Sequence, residues 1–79
     1  MSALSPRETE MLAFESQFWR YPGAKEQAIH DLFDGMSASR YYLILNALID
    51  RPEAYEHAPM LVKRLLRLRD TRRAARAHA

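Results

Sequence analysis

The sequence predicts an all-α fold, a compact bundle of about four helices. Apolar residues recur every three, four or seven positions, the spacing that places them on one side of a helix. Residues that start and stop helices separate these stretches, and no stretch has the alternation of a strand. We expect one domain over residues 1–71 and a basic, frayed tail at residues 72–79. The expected helices lie near residues 5–20, 24–34, 37–50 and 59–72.

The first helix is expected to begin at Ser5-Pro6-Arg7-Glu8 and to end at Tyr21-Pro22-Gly23. The serine can accept free backbone amides, the proline suits the first helical position, and the glutamate can reach back to the serine amide. The apolar side chains of this helix are predicted to lie in the core; they are Met11, Leu12, Phe14, Phe18 and Trp19. An alternative is that Trp19 or Tyr21 is exposed and stacks on a nucleic-acid base.

A short turn is expected to join the second and third helices. Gly35 is predicted to end the second helix in the left-handed conformation, and Ser37 is predicted to cap the third. Pro52 is expected to stop the third helix, because the residue before a proline disfavours the helical region. The predicted inward side chains of these helices are Ala28, Ile29, Leu32, Phe33, Tyr41, Ile44 or Leu45, and Leu48.

The remaining chain is predicted to form a turn-rich linker over residues 52–59 and then the fourth helix. Pro59 suits the first position of that helix. Leu61, Leu65 and Leu68 recur at helical spacing and form its expected buried face, while its basic residues point elsewhere.

Charge is divided unevenly along the chain. Residues 1–62 hold five Lys/Arg and nine Asp/Glu, whereas residues 63–79 hold seven Lys/Arg and one Asp, so the two parts carry net charges of −4 and +6. A cationic end of this kind suggests a polyanionic partner, either nucleic acid or an anionic membrane surface. A solvated basic helix without a partner is the alternative.

The residues that enzymes and metal sites require are missing or dispersed. The chain has no cysteine, no glycine-rich phosphate loop, and three histidines, His30, His57 and His78, too far apart for a helical metal pair. We therefore expect no catalytic residue, no metal and no cofactor. The apolar runs are far shorter than the roughly 20 residues that span a membrane. We expect a cytoplasmic protein, associated with the nucleoid if it binds DNA.

Residues 24–50 have the pattern of a helix-turn-helix. In this motif a glycine permits the sharp turn, and the second helix presents its N-terminal residues to the major groove of DNA. Arginine can pair with guanine, asparagine with adenine, and serine can hold a phosphate. The candidate DNA-binding residues are Ser37, Ser39, Arg40, Leu43 and Asn46 on the third helix, and Lys63, Arg64, Arg67, Arg69, Arg72 and Arg73 for the DNA backbone. The alternative is that Gly35 is an ordinary helix end and Arg40 a solvated charge.

Two resemblances add to this pattern. The stretches IHDLF, ending at residue 33, and MSASRYY, beginning at residue 36, resemble the helix-turn-helix of region 4 in bacterial sigma factors. Over nearly its full length the chain is more similar to a family of short actinobacterial proteins known as a domain of unknown function, through LAFESQFWRYPGAKEQAIHDLF, MSASRYYLILNALIDRPEA and PMLVKRLLRLR. The turn is longer than in the sigma pattern, and Leu43 stands where those helices often have glutamine. This departure favours contact of Leu43 with a thymine methyl or with a protein.

The sequence therefore predicts a DNA-binding helix-turn-helix protein that regulates transcription. Its expected partner is double-stranded DNA, and two copies are expected on one site, since one short helix contacts few base pairs. The leucine face of the fourth helix is the expected dimer seam. The alternative is a small adaptor that buries Tyr42, Leu43 and that leucine face against RNA polymerase or a sigma factor. A basic amphipathic helix lying on an anionic membrane is a third hypothesis.

Overall fold

The computed structural model describes residues 3–77, which form five α-helices and no strand. The predicted all-α fold is confirmed, with one helix more than expected. The helices are α1 (Pro6–Glu15), α2 (Pro22–Leu32), α3 (Ala38–Ile49), α4 (Pro52–His57) and α5 (Pro59–Ala77). The sequence explains where these helices begin, because α1, α2 and α4 each have a proline in the first helical positions. Ser5 and Glu8 form the predicted capping box, with Ser5 Oγ 3.1 Å from the Glu8 amide and Glu8 Oε1 2.7 Å from the Ser5 amide.

Helix α1 ends at Glu15, five residues before the predicted end near residue 20. Residues 14 and 19 would lie about 140° apart around a continuous helix, because each residue turns the chain by about 100°. The break lets Trp19 fold back on Phe14, with the two ring centroids 5.2 Å apart. It also turns Phe18 outward, 89% exposed, so the prediction that Phe18 lies in the core is wrong.

The turn between α2 and α3 has the predicted cap residues. Gly35 adopts a positive φ of 76°, and its amide donates to the His30 carbonyl at 2.8 Å. Asp34 also has a positive φ, 54°. Ser37 Oγ accepts a hydrogen bond from the Arg40 amide at 3.2 Å and so caps α3. Because the chain leaves the helix at Phe33, the Phe33 ring is buried. Leu32 is 61% exposed, so the prediction that it lies in the core is wrong.

The predicted linker over residues 52–59 is wrong, because most of it is α4, a helix of six residues. Pro52 stops α3 and also occupies the first position of α4, where its missing amide costs no helical hydrogen bond. Ala54 of α4 is fully buried against the core. The short helix therefore closes one side of the bundle.

Helix α5 runs to Ala77, five residues beyond the end predicted near residue 72. Residues 72–77 are all alanine or arginine, which are among the strongest helix formers, so the helix continues beyond the core. Residues 78 and 79 of the predicted tail lie outside the described residues.

The core brings together residues from all five helices and from the turn before α3. Its buried members are Met11, Leu12, Phe14, Ile29, Phe33, Met36, Tyr41, Leu45, Leu48, Ile49, Ala54 and Val62. The predictions for Leu45 and Leu48 are confirmed. In α5 the fully buried residue is Val62, while Leu61 and Leu65 are half-buried and Leu68 is 45% exposed. The prediction of Leu68 as a core residue is therefore wrong.

One buried carboxylate joins four of the helices. Glu15 is 6% exposed; Oε2 accepts a hydrogen bond from the Tyr41 hydroxyl at 2.6 Å, and Oε1 pairs with Lys25 Nζ at 3.1 Å. The backbone carbonyl of Glu15 accepts a hydrogen bond from Arg64 Nη2 at 3.0 Å. Burial, together with the bond to Glu15, raises the pKa of Tyr41, so its hydroxyl stays protonated and keeps donating. The network sets the ends of α1 and α2 against α3 and α5.

Candidate nucleic-acid interface

Helix α3 presents one continuous exposed stripe. Tyr41, Leu45 and Leu48 face the core, so residues on the opposite side of the helix face outward. The exposed residues are Ser39, Arg40, Leu43, Asn46, Ala47 and Asp50. Leu43 lies at the middle of the stripe and is 71% exposed. We call these six residues the α3 stripe.

The predicted base-contacting residues stand at the start of the α3 stripe. The side chains of Ser39 and Arg40 have no hydrogen bond or ion pair within residues 3–77. The Ser37 hydroxyl oxygen is occupied by its cap bond to the Arg40 amide, so Ser37 is first a structural residue. Asn46 lies two turns further along; its backbone carbonyl accepts from Arg69 Nη1 at 3.3 Å, and its side chain points to solvent.

Acidic residues precede the start of α3. Asp34 pairs with Arg7 at 2.7 Å, which offsets its charge, and Asp31 accepts a hydrogen bond from Gln27 at 3.0 Å. The α3 stripe itself carries one basic residue, Arg40, and one acidic residue, Asp50. Cationic attraction at this surface must therefore come largely from another element.

Helix α5 supplies that charge on the same side that buries its apolar residues. Val62, Leu65 and Leu66 pack against the core, and the helical spacing of three and four then continues through arginines. These arginines are Arg69, Arg72, Arg73 and Arg76. We call them the α5 arginine row.

The α5 arginine row faces a groove between α5 and α3. The groove has a volume of about 280 Å³. On α3 its lining residues are Tyr42, Leu45, Asn46 and Ile49; on α5 they are Leu65, Leu68 and the four arginines of the row. Lys25 and Glu15 complete the lining. We call it the basic groove. Asn46 belongs both to this groove and to the α3 stripe. The predicted base-contacting residues of α3 therefore adjoin the predicted phosphate-contacting arginines of α5.

Two of the predicted backbone-contacting arginines have structural partners. Arg69 holds Asp50 by two hydrogen bonds, 3.1 and 2.7 Å long. The pKa of Asp50 is lowered and that of Arg69 raised, chiefly by this pairing. Arg64 donates to the Glu15 carbonyl. Because that carbonyl carries no charge, the positive charge of Arg64 is not cancelled by it.

The other predicted cations divide between the two sides of α5. Arg72 and Arg73 line the basic groove and are exposed. Arg67 follows Val62 by five positions, which places it on the side away from the core. Lys63 is exposed, with Nζ 5.8 Å from the centroid of the Tyr55 ring. The sequence did not indicate Lys25 of α2 as a site residue, because only the fold brings it beside α5.

Among the described residues there is neither a candidate metal site nor a helix that could span a membrane. Within residues 3–77, no group of three or more His, Cys, Asp or Glu side chains is arranged to hold a metal ion. Over the same range, no helix combines the length and apolar character needed to cross a bilayer. His78, one of the three histidines, lies outside the described residues.

Comparison with known proteins places the chain in a family. No curated protein and no solved structure matches it. A family described as proteins of unknown function, DUF3263, matches residues 3–77, nearly the whole chain. The protein therefore belongs to the DUF3263 family.

Proposed function

We propose that this protein binds duplex DNA through the α3 stripe and the α5 arginine row, and that it regulates transcription as a nucleoid-associated protein. The observation that carries the proposal is the direction of the arginine row, which faces a groove beside α3. Within the described residues, only Arg69 of the four arginines pairs with a carboxylate, so the charges of the other three are available to a partner. A polyanion lying against α3 would neutralise them.

Reading of bases is assigned to the α3 stripe. Arg40 can donate two hydrogen bonds to guanine in the major groove, and Asn46 can pair with adenine. Leu43 is apolar and exposed, which suits contact with a thymine methyl group. Ser39, beside Arg40, can reach either a base or a phosphate. These four residues lie on one side of α3 over about two turns.

Phosphate neutralisation is assigned to the α5 arginine row, and Arg72, Arg73 and Arg76 are its main members because Arg69 is held by Asp50. Each phosphate neutralised on B-DNA contributes about 0.9 to the slope of log affinity against log salt. We expect the triple variant Arg72→Ala/Arg73→Ala/Arg76→Ala to flatten that slope by up to about 2.7. Fluorescence anisotropy with a mixed-sequence duplex at several salt concentrations measures it.

The matched control for this variant is Lys63→Ala/Arg67→Ala, which removes cations from the other side of the same helix. Its slope should change less per charge than that of the triple variant. Equal changes per charge would show that DNA responds to the overall charge of α5 and not to the row that faces the groove. Alanine is a good helix former, so both variants should keep α5 folded.

Arg40→Ala should separate base reading from phosphate contact. On a preferred site, selected from a random pool of duplexes, this change should weaken binding by about 1 to 3 kcal/mol, because one bidentate pair with a base is lost. On random duplex the affinity should change little. Equal losses on both kinds of duplex would contradict the assignment of Arg40 to a base edge.

A second candidate function rests on the exposure of Leu43 and Leu68. An adaptor of the transcription machinery could bury these side chains against RNA polymerase or a sigma factor. The same leucines could serve a homodimer, which would provide the second helix that selective DNA binding requires. If the protein shows no salt-dependent affinity for any duplex at about 50 mM salt, where non-specific binding should register, the DNA proposal fails and the adaptor takes its place.

A further inference from the structure

The basic groove continues to an aromatic end whose rings the proposed function does not use. There a second volume of about 460 Å³ lies between residues 16–19, α2 and α5. It shares Glu15, Lys25, Tyr42, Leu65, Leu68 and Arg72 with the basic groove. Its further lining residues include Phe18, Trp19 and Arg64. We call this part the aromatic end.

Phe18 is the residue at the aromatic end that most needs an explanation. Its side chain is 89% exposed, more than any other large apolar side chain among residues 3–77. Burying a phenylalanine side chain stabilises a protein substantially, so a chain of 79 residues would normally place this ring in its core. Here α1 ends before it, and the ring stands at the mouth of a groove.

The other two rings at this end are held in place by the core. Trp19 packs on Phe14 at 5.2 Å, and Tyr42 packs edge to face on Tyr41 at 5.2 Å. Trp19 Nε1 is buried without a hydrogen-bond partner, which indicates that packing and not polar bonding fixes the indole. Trp19 and Tyr42 therefore form stable walls beside an exposed ring.

Charged side chains from three helices line the aromatic end; they are the cations Lys25, Arg64 and Arg72 and the carboxylates Glu15 and Glu26. Lys25 lies 5.3 Å from the centroid of the Tyr42 ring, and its charge is offset by Glu15. Arg64 is bonded to a neutral carbonyl, and Arg72 has no ion pair within the described residues. The aromatic end thus combines π faces with two arginines whose charges are not paired by a carboxylate.

We propose that the aromatic end binds single-stranded nucleic acid, with an unpaired base stacked on Phe18 and the adjoining phosphates at Arg64 and Arg72. A single strand offers both unpaired bases and phosphates, and the aromatic end is lined by both aromatic rings and arginines. In a duplex the bases are stacked on one another, so their faces are not available to Phe18. An acidic peptide would satisfy the arginines, but it has no general need for a row of aromatic faces. The site adjoins the duplex-binding surface and shares Arg72 with it, and its ligand is an unpaired strand.

Trp19, the only tryptophan of the chain, makes the site observable. A thymidine oligonucleotide of about ten nucleotides, within the site sizes known for single-strand binders, should quench its fluorescence and bind with measurable anisotropy. Phe18→Ala should weaken this binding by about 5- to 150-fold, the loss expected when one base loses its aromatic platform. Because Phe18 is exposed, the thermal melt of the variant should stay close to that of the wild type.

The controls separate stacking from charge and single strands from duplexes. Met60→Ala removes another exposed apolar side chain, 76% exposed, and should leave oligonucleotide affinity unchanged. An abasic strand of the same length should bind at least fivefold more weakly than the oligonucleotide. Arg40→Ala should not change single-strand affinity, so failure of the duplex proposal and failure of this one can be told apart.

Three results would overturn the inference. The first is that the abasic strand binds as tightly as the oligonucleotide, which would show that charge alone accounts for the binding. The second is oligonucleotide affinity that does not change in Phe18→Ala although the variant is folded. The third is an acidic peptide whose binding depends on Phe18 while oligonucleotide binding does not, which would assign the aromatic end to a protein partner.

Discussion

A Leu45→Ala protein is expected to be strongly destabilised. Leu45 is 4% exposed and belongs to the core between α3 and its neighbours. Truncating a buried leucine to alanine costs about 2 to 5 kcal/mol, since it removes buried apolar surface and leaves a cavity. A chain of this size has a total stability of roughly 4 to 12 kcal/mol, so the loss removes much of it. Urea denaturation followed by circular dichroism measures the change.

Leu43→Ala is the matched control, because it makes the same chemical change two residues earlier on the exposed side of α3. Its free energy of unfolding should stay within about 0.5 kcal/mol of the wild type. The pair of variants tests the orientation of α3. If Leu45→Ala were stable and Leu43→Ala unfolded, the helix would face the other way, and the assignment of Ser39, Arg40 and Asn46 to a DNA surface would be lost.

Glu15→Ala is expected to produce the second large loss of stability. The change removes the acceptor of the buried Tyr41 hydroxyl and the partner of Lys25. Breaking a buried ion pair from one side costs about 3 to 5 kcal/mol, and we expect about 3 kcal/mol here because the Lys25 side chain retains some access to water. Urea denaturation again measures the free energy of unfolding.

Two variants serve as controls for Glu15→Ala; they are Glu15→Gln and Glu10→Ala. Glutamine keeps an oxygen for the Tyr41 hydroxyl, so Glu15→Gln should lose less stability than Glu15→Ala. Glu10 is an exposed glutamate on the same helix, and its replacement by alanine should be nearly neutral. Should Glu15→Ala prove as stable as Glu10→Ala, the network around Glu15 would not be what holds α1, α2 and α3 together. The placement of the aromatic end would then need another cause.

Several features of the fold followed from local sequence. The cap at Ser5, the left-handed Gly35 and the cap at Ser37 depend on hydrogen bonds between residues close along the chain. The inward position of Tyr41, Leu45 and Leu48 follows from the period of one helix. Such features need no knowledge of distant residues, and for this reason they were predicted correctly.

The errors arose where one local pattern allows two structures. A helix continued past Glu15 would also have had an apolar stripe. The contact of Trp19 with Phe14 instead favours a break in the helix, and the break turns Phe18 outward. Pro52 can both end one helix and begin the next, and only the burial of Ala54 against the core explains why α4 forms. These choices depend on contacts between elements, which periodicity does not contain.

The candidate site also has some features that the sequence predicts and others that depend on the tertiary structure. By itself the sequence determined that α3 exposes Ser39, Arg40, Leu43 and Asn46 and that the cationic residues lie near the C-terminus, because helical period and composition are local properties. Only the tertiary structure decided that the arginine row of α5 faces a groove and that Asp50 holds Arg69. It also decided which rings, those of Phe18, Trp19 and Tyr42, meet beside Lys25 and Arg72. The physical reason is that these side chains come from four separate parts of the chain, and the direction in which helices pack depends on how the whole core is filled.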